Sequence, residues 1–339
     1  MNQKQQTSGK TVELGGGTQV FPLALGCMGM SGMYGDSDEA ESTRTIHAAL
    51  ERGVTVFDTG DFYGQGHNEM LLGRALAGVL REQRERVLLS VKFGALRGPD
   101  GAWLGMDMRP AAVKNFCAYS LKRLGVDYID IYRPARLDGS VPIEDTIGAI
   151  AELVKAGYVR SIGLSEVGVE TIRRAQAVHP IVDLQIEYSL VSRGPERQIF
   201  PALRELGIGI TAYGLLSRGL LTGSKPTGKG DFRAYLPRFA GENGERNRPL
   251  VEALERMAKA RGTNSAALAV AWALAKEPRL VAVVGARKVA QLDSAFDALS
   301  PKLALSATEI AELEAAVPAE QVVGERYQAQ QMAHLDSER

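Results

Sequence analysis

Eight short runs of strand-forming residues recur between residues 23 and 285, each followed by a stretch of helical character. The runs occupy residues 23–26, 54–58, 87–92, 128–132, 161–165, 182–186, 208–213 and 280–285. Between them lie predicted helices at 68–80, 110–124, 168–178 and 196–206, and one whose apolar residues Ile143, Ile147, Ile150, Leu153 and Val154 keep a helical spacing. Asp36 with Glu39 three residues on marks the start of the first helix, which runs to about Arg52. Strands alternating with helices imply parallel pairing through crossover units. Eight of them predict a closed (β/α)8 TIM barrel. The rival is an open doubly wound sheet, which needs Gly-x-Gly-x-x-Gly between a strand and a helix. The nearest segment, Gly26-Cys27-Met28-Gly29, lacks that form.

Ahead of the first run, residues 11–21 read as a β-hairpin turning at Gly15-Gly16-Gly17. A lone hairpin is marginal, so it is expected to cap the closed end of the barrel. Residues 1–10 read as a polar arm, 11–317 as one domain, and 318–339 as a polar tail that either crosses the barrel mouth or moves freely. Two segments look like long loops, 94–108 and 222–247; the second is glycine-rich, and helices at 248–261 and 264–276 follow it. Ser306 and Glu309 form a capping box that opens a final helix.

Lys plus Arg and Asp plus Glu both number 40, so no net charge points toward nucleic acid or an anionic membrane. No apolar run approaches the ~18 residues of a membrane span. Cys27 and Cys117 have neither metal-ligand spacing nor a disulfide framework, which fits a reducing cytoplasm. No metal is expected. Monomer and homo-oligomer are both compatible with a neutral surface.

The chemistry lies at strand ends. Ionisable residues at the carboxyl ends of different barrel strands converge on one mouth. Asp58 and Lys92 end two strands, and Tyr63 lies in the loop after the first. A nearby ammonium stabilises phenolate, and a carboxylate holds the ammonium, so the three together make a tuned proton donor for a carbonyl oxygen. A plain Asp–Lys salt bridge beside an unrelated tyrosine is the alternative.

The surrounding words are Phe57-Asp58-Thr59-Gly60-Asp61-Phe62-Tyr63-Gly64, then Gly66-His67-Asn68-Glu69, Leu72-Gly73, and Lys92 at the end of the third barrel strand. Together they resemble the signature of the aldo-keto reductases. The resemblance runs from about Val20 to Val317 and looks closest to the bacterial branch that includes pyridoxal reductases and relatives of potassium-channel β subunits. It implies that Tyr63 is the general acid, that Lys92 lowers its pKa and that Asp58 holds Lys92. The family's fourth member, a histidine after the fourth barrel strand, is replaced: the segment reads Arg133-Pro134-Ala135-Arg136-Leu137-Asp138. Arg136, Arg133 or a water is left to fill part of the gap at Ala135, with a salt bridge to Asp138 or to a helix carboxylate as the plainer role of Arg136. His47, His67, His179 and His334 all lie elsewhere and read as structural.

The resemblance also implies NADPH (NADP+ in the reverse direction). Ser165 and Gln185 would hold the nicotinamide carboxamide, and Tyr213 would stack on the ring. Gly214, Leu215, Ser217, Arg218 and Gly219 would wrap the pyrophosphate. Gly26, Cys27 and Met28 would line the nicotinamide end, and Gly285, Arg287 and Gln291 would grip the adenosine 2′-phosphate. The Glu-Asn usual a turn later is Ser294-Ala295 here. Tyr34, Trp103 and Arg136, with Met30 and Met33, are candidates to line the substrate pocket. The expected reaction reduces a small aldehyde or ketone reversibly; the other reading is a cofactor-binding sensor that acts through a partner, with slow residual chemistry.

Overall fold

A computed structural model describes residues 11–227 and 230–339. The proposed arm at 1–10 lies outside the described residues. The chain opens with a hairpin, β1 (Val12–Glu13) and β2 (Gln19–Val20), and enters the barrel at β3 (Leu23–Gly26), β4 (Val56–Gly60) and β5 (Leu88–Phe93). An external pair, β6 (Ala95–Arg97) and β7 (Trp103–Met106), precedes β8 (Ile129–Pro134), β9 (Val159–Ser165), β10 (Ile181–Glu187), β11 (Gly209–Tyr213) and β12 (Leu280–Gly285). The eight barrel strands are all parallel and close through β12 on β3, where Gly285 pairs with Gly26. Strands buried on both faces read as nearly continuous apolar runs, which is why they were visible without a structure.

The hairpin covers the amino-terminal end of the barrel. Leu14 is fully buried there, and Gly15 lies so close to the Ile181–Val182 backbone that a Cβ would sit 2.8 Å from it. Glycine at 15 is thus a packing requirement. Inside the barrel sits a charged pair: Arg133 donates to both carboxylate oxygens of Asp183 at 3.0 and 2.8 Å, and to Thr211 Oγ1 at 3.1 Å. Both members are completely buried.

Four details depart from the sequence reading. The first helix, Glu39–Glu51, is capped by Asp38, whose carboxylate accepts from the Glu41 N–H at 2.8 Å, and not by Asp36. Asp38-x-x-Glu41 fits the cap pattern as well as Asp36-x-x-Glu39 does, so spacing alone did not decide. The helix expected at 68–80 is broken at Leu76 into His67–Ala75 and Ala77–Glu82. Residues 94–108 are not a plain loop, because β6 and β7 pair antiparallel around a tight turn at Pro99-Asp100-Gly101. Within 222–247, Asp231 ties the segment down by accepting from Arg233 and from the Thr227 N–H. The Ser306–Glu309 capping box forms as read.

The polar tail crosses the mouth. Arg326, Tyr327 and Leu335 are buried there, and Tyr327 and Leu335 pack with Leu236. Gly168 N–H donates to Asp336 at 2.8 Å, and Ser337 donates to Glu166 at 2.7 Å. No helix among the described residues is long and apolar enough to cross a membrane.

Candidate active site

Register sets the site. Asp58 lies opposite Ser90, Gly60 opposite Lys92, and Gln185 opposite Ser165, which brings these side chains to the carboxyl ends of neighbouring strands. Asp58 is saturated: Oδ2 accepts from Lys92 Nζ at 2.6 Å, and Oδ1 accepts from Ser90 at 2.9 Å and from Gln185 Nε2 at 2.8 Å. Burial works to raise the Asp58 pKa, and Lys92, Arg133 and Gln185 overcome it, so the group is held below the usual carboxylate range. Burial pulls the Lys92 ammonium down, and Asp58 opposes the shift. Tyr63 is 6% exposed, faces the cleft and has Lys92 Nζ 5.2 Å from its ring centroid.

The expected depression of the Tyr63 pKa by Lys92 does not occur in this arrangement. Burial, then the Asp58 charge, pushes the phenol well above its ordinary value, while Arg136 pulls weakly the other way. Lys92 is committed to Asp58. A phenol in that setting is protonated at neutral pH, as a proton donor must be.

Next to this cluster Asp61 is buried, with Oδ1 unpartnered and Oδ2 at 3.4 Å from the Gly94 N–H. Burial, reinforced by Glu69, lifts its pKa from 3.8 to about 7. A carboxyl raised in the folded state binds its proton more tightly there, so the contribution of Asp61 to stability is full below pH ~4 and is lost as pH rises through 7. Wild type is expected to lose on the order of 2–4 kcal/mol between pH 4 and pH 8 relative to Asp61→Asn. Denaturant midpoints across that range check this, and parallel profiles for the two proteins would contradict it.

The cleft runs from Tyr63 across the mouth to Arg287 and encloses about 1450 Å³, above the ~300–1,000 Å³ usual for one small ligand. Gly26, Met28, Tyr34, Asp58, Lys92, Trp103, Arg136, Ser165, Gln185 and Tyr213 line it. So do Gly214, Leu215, Arg218, Gly219, Gly285, Arg287 and Gln291. Met33 lines it too, whereas Met30 is buried away from it. Two expected lining residues turn away. The Cys27 thiol is buried against the Leu25 carbonyl, and the Ser217 hydroxyl accepts from Arg238 beneath the loop at 2.9 Å. Ser217 and Arg218 both have positive φ, a strained turn for non-glycine residues. The Arg218–Glu187 ion pair, 2.8 Å and buried, holds it.

Arg133 does not fill the gap at Ala135, because its guanidinium belongs to Asp183 inside the barrel. Arg136 does not bridge to Asp138 either. Its Nη1 donates to the Ala135 carbonyl at 2.6 Å and to Ser165 Oγ at 3.4 Å, and its Nη2 donates to Tyr327 Oη at 3.3 Å. Asp138 instead accepts from Ser140 and the Met108 N–H. Of the four histidines only His334 reaches the cleft, at its exposed rim.

Sequence reasoning missed the buried carboxylates and arginines behind the cleft wall. Glu166 accepts from Tyr213 at 2.7 Å, from Ser337 at 2.7 Å and from both Arg326 Nη atoms at 3.2 and 3.0 Å. Burial alone would raise its pKa, but Arg326 and Arg136 bring it down to about 2. Glu187 pairs with Arg218, Arg326 and, more loosely, Arg238. The two carboxylates were open to the strand-end rule that singled out Asp58, since Glu166 directly follows β9 and Glu187 ends β10. Arg326 and Tyr327 carried no signal.

The residues fit a nicotinamide dinucleotide. Gln185 spends its amide N–H on Asp58 and makes no hydrogen bond through Oε1 among the described residues, Ser165 stands beside it in register, and the Tyr213 hydroxyl is anchored to Glu166. Comparison with known proteins agrees. The Aldo/keto reductase family profile matches residues 22–318. The "Probable aldo-keto reductase 1" of Glycine max is 42% identical over 319 residues, covering 92% of this chain and 89% of its own length. Among solved structures, a glycerol dehydrogenase from Gluconobacter oxydans superposes with a TM-score of 0.81 at 30% identity, covering 93% of this chain and 97% of its own. An aldo-keto reductase from Bacillus halodurans, in its holo form, gives 0.74 at 28% identity, covering 91% and 97%. Barrel, strand-end cluster and relatives agree: the chain belongs to the aldo/keto reductase family and is an oxidoreductase acting on carbonyl and alcohol groups.

Proposed function

We propose that the protein is an NADPH-dependent reductase of aldehydes or ketones, working in both directions, with Tyr63 as general acid. The observation that carries this reading is the convergence of Tyr63, Lys92 and Asp58 at one end of a cleft large enough for a dinucleotide and a small carbonyl compound. When bound, the reduced nicotinamide supplies the hydride. Asp58 fixes Lys92 and, through Gln185, the amide that would hold the carboxamide. Tyr63, protonated and facing the cleft, donates to the carbonyl oxygen as charge develops there. Stabilising the phenolate left behind would need Lys92, 5.2 Å from the ring centroid and paired with Asp58 here, to turn part of its charge to that oxygen. With alanine at 135, the Arg136 guanidinium, bonded to the Ala135 carbonyl and lining the cleft, offers a cationic donor on that side. NADPH and NADH oxidation followed over a panel of aldehydes, diketones and bulky ketones tests the reading. Binding of cofactor without turnover on any of them would refute it.

The preference for NADPH rests on Arg287. It lines the far end of the cleft and donates through Nη1 to the Tyr34 and Asp36 carbonyls at 3.0 and 2.9 Å; its Nε and Nη2 have no partner among the described residues. A guanidinium fixed in that way offers its remaining N–H groups to a phosphate. Arg287→Ala is expected to weaken NADPH binding ~10–100-fold and leave NADH nearly unchanged, the worth of a charge-assisted bond. Fluorescence titration with both cofactors decides; equal losses for the two would remove Arg287 from the phosphate site.

A further inference from the structure

We infer that the substrate carries a carboxylate, held by Arg136 and Tyr327 at the nicotinamide end of the cleft. This rests on the reductase reading of the same site. Arg136 has no ion-pair partner among the described residues: its hydrogen bonds go to a backbone carbonyl, a serine and a tyrosine. The nearby carboxylates are already committed. Glu166 is taken by Arg326, Ser337 and Tyr213, and Glu187 by Arg218, Arg326 and Arg238. Asp58 is taken by Lys92, and Asp138 by Ser140 and the Met108 N–H.

Counted at the mouth, the guanidiniums of Arg136, Arg218, Arg238 and Arg326 face the two buried carboxylates Glu166 and Glu187, with Glu338 reaching Arg326 from the half-exposed tail. With Glu325 acting on Arg238 the cluster is close to balanced, and Arg136 is the member of it with no ion pair among the described residues. Arg218 is in the turn expected to meet the cofactor's pyrophosphate, but Arg136 sits after β8, beside Ser165, where the carboxamide and the substrate meet. It is close enough to Tyr63 for its charge to be felt by the phenol.

Arg136 is part-buried and shares the field of Glu166, but that carboxylate is already hydrogen-bonded to Arg326, Ser337 and Tyr213, so a ligand that brings its own negative charge gains a direct partner in Arg136. Planar, bidentate donors suit a carboxylate. Tyr327 accepts from Arg136 and gives its one O–H to Tyr213, whose own proton goes to Glu166; turned from Tyr213 to a ligand, that O–H becomes a second donor. The substrate class is therefore an oxo acid or a carboxylated aldehyde, read by its carboxylate and reduced at its carbonyl.

The test compares each acid with its own methyl ester under NADPH: 4-carboxybenzaldehyde, pyruvate and levulinate against methyl 4-formylbenzoate, methyl pyruvate and methyl levulinate. Wild type should prefer the better acids by ~10–100-fold in kcat/KM, the value of a charge-assisted contact. In Arg136→Met the acid-to-ester ratio should collapse toward one, and in Tyr327→Phe it should fall part of the way. The ratio is the readout, so a general loss of activity does not imitate the effect. Esters turned over as well as acids by wild type, or a ratio unchanged in Arg136→Met, would overturn the carboxylate inference and leave the reductase reading standing. No turnover of acids, esters or any neutral carbonyl would overturn both.

Discussion

Tyr63→Phe should reduce carbonyl turnover ~10²–10⁴-fold, the usual contribution of a positioned proton donor, while cofactor binding persists. The ring is buried and packs edge-on against Phe62 with centroids 4.9 Å apart, and no hydrogen bond within the described residues depends on its hydroxyl. Phenylalanine therefore keeps the shape and removes only the proton. The loss should fall on kcat, since the hydroxyl matters most where negative charge develops on the substrate oxygen. Stopped-flow or steady-state oxidation of NADPH gives the rate, and quenching of protein fluorescence gives the cofactor affinity. A variant within tenfold of wild type would mean that another group is the acid. The raised phenol pKa adds a second expectation in the same assay: reduction should not lose activity through Tyr63 ionising anywhere below pH ~10.

The largest effect on stability should come from the pair inside the barrel. Asp183→Asn leaves Arg133 charged, fully buried and without a counter-ion, and should cost about 3–5 kcal/mol. The geometry is good, with two hydrogen bonds from Arg133 and one from Thr211 at 2.7 Å. Yet burial still pushes the Asp183 carboxyl up in spite of Arg133, a sign that desolvation offsets much of the attraction. Arg133 Nε also stays unpartnered. Replacing both, Arg133→Met with Asp183→Leu, should therefore recover most of the loss that either charge alone produces. Urea denaturation of the two singles and the double forms a cycle that separates pairing from burial. A cost under ~1 kcal/mol for Asp183→Asn would show that water or a shifted side chain serves Arg133 equally well. The site would register the change too, because Arg133, the register partner of Lys92, also draws down the pKa values of Asp58 and Lys92.

The barrel was legible because its cause is local. Each strand is a run of apolar residues read within six or seven positions, and closure followed from their number. The strand-end cluster was legible in kind: Asp58 and Lys92 do pair, and Tyr63 does face the cleft. Its electrostatics were not, since the Tyr63 shift depends on burial and on which partner Lys92 chooses, neither of which spacing contains. The β6–β7 pair was within reach, as Pro99-Asp100-Gly101 is a turn sequence with a mechanism; length and polarity hid it. The tail was beyond reach. Arg326 finds Glu166 across 160 positions of sequence, and no short pattern encodes a contact of that span.

Those long-range contacts divide the protein into a barrel and a segment laid over its mouth. The barrel can close once β12 meets β3, using only residues up to Gly285. Arg326, Tyr327 and Ser337 are held on that scaffold chiefly by charge and hydrogen bonds, with a small apolar patch at Leu236 and Leu335. A segment attached in that way opens at lower free energy than the scaffold beneath it. The side chains that complete the pocket thus belong to the least cooperative part of the fold. Opening of this segment, more than of the barrel, is the motion expected to admit water to the buried end of the cleft.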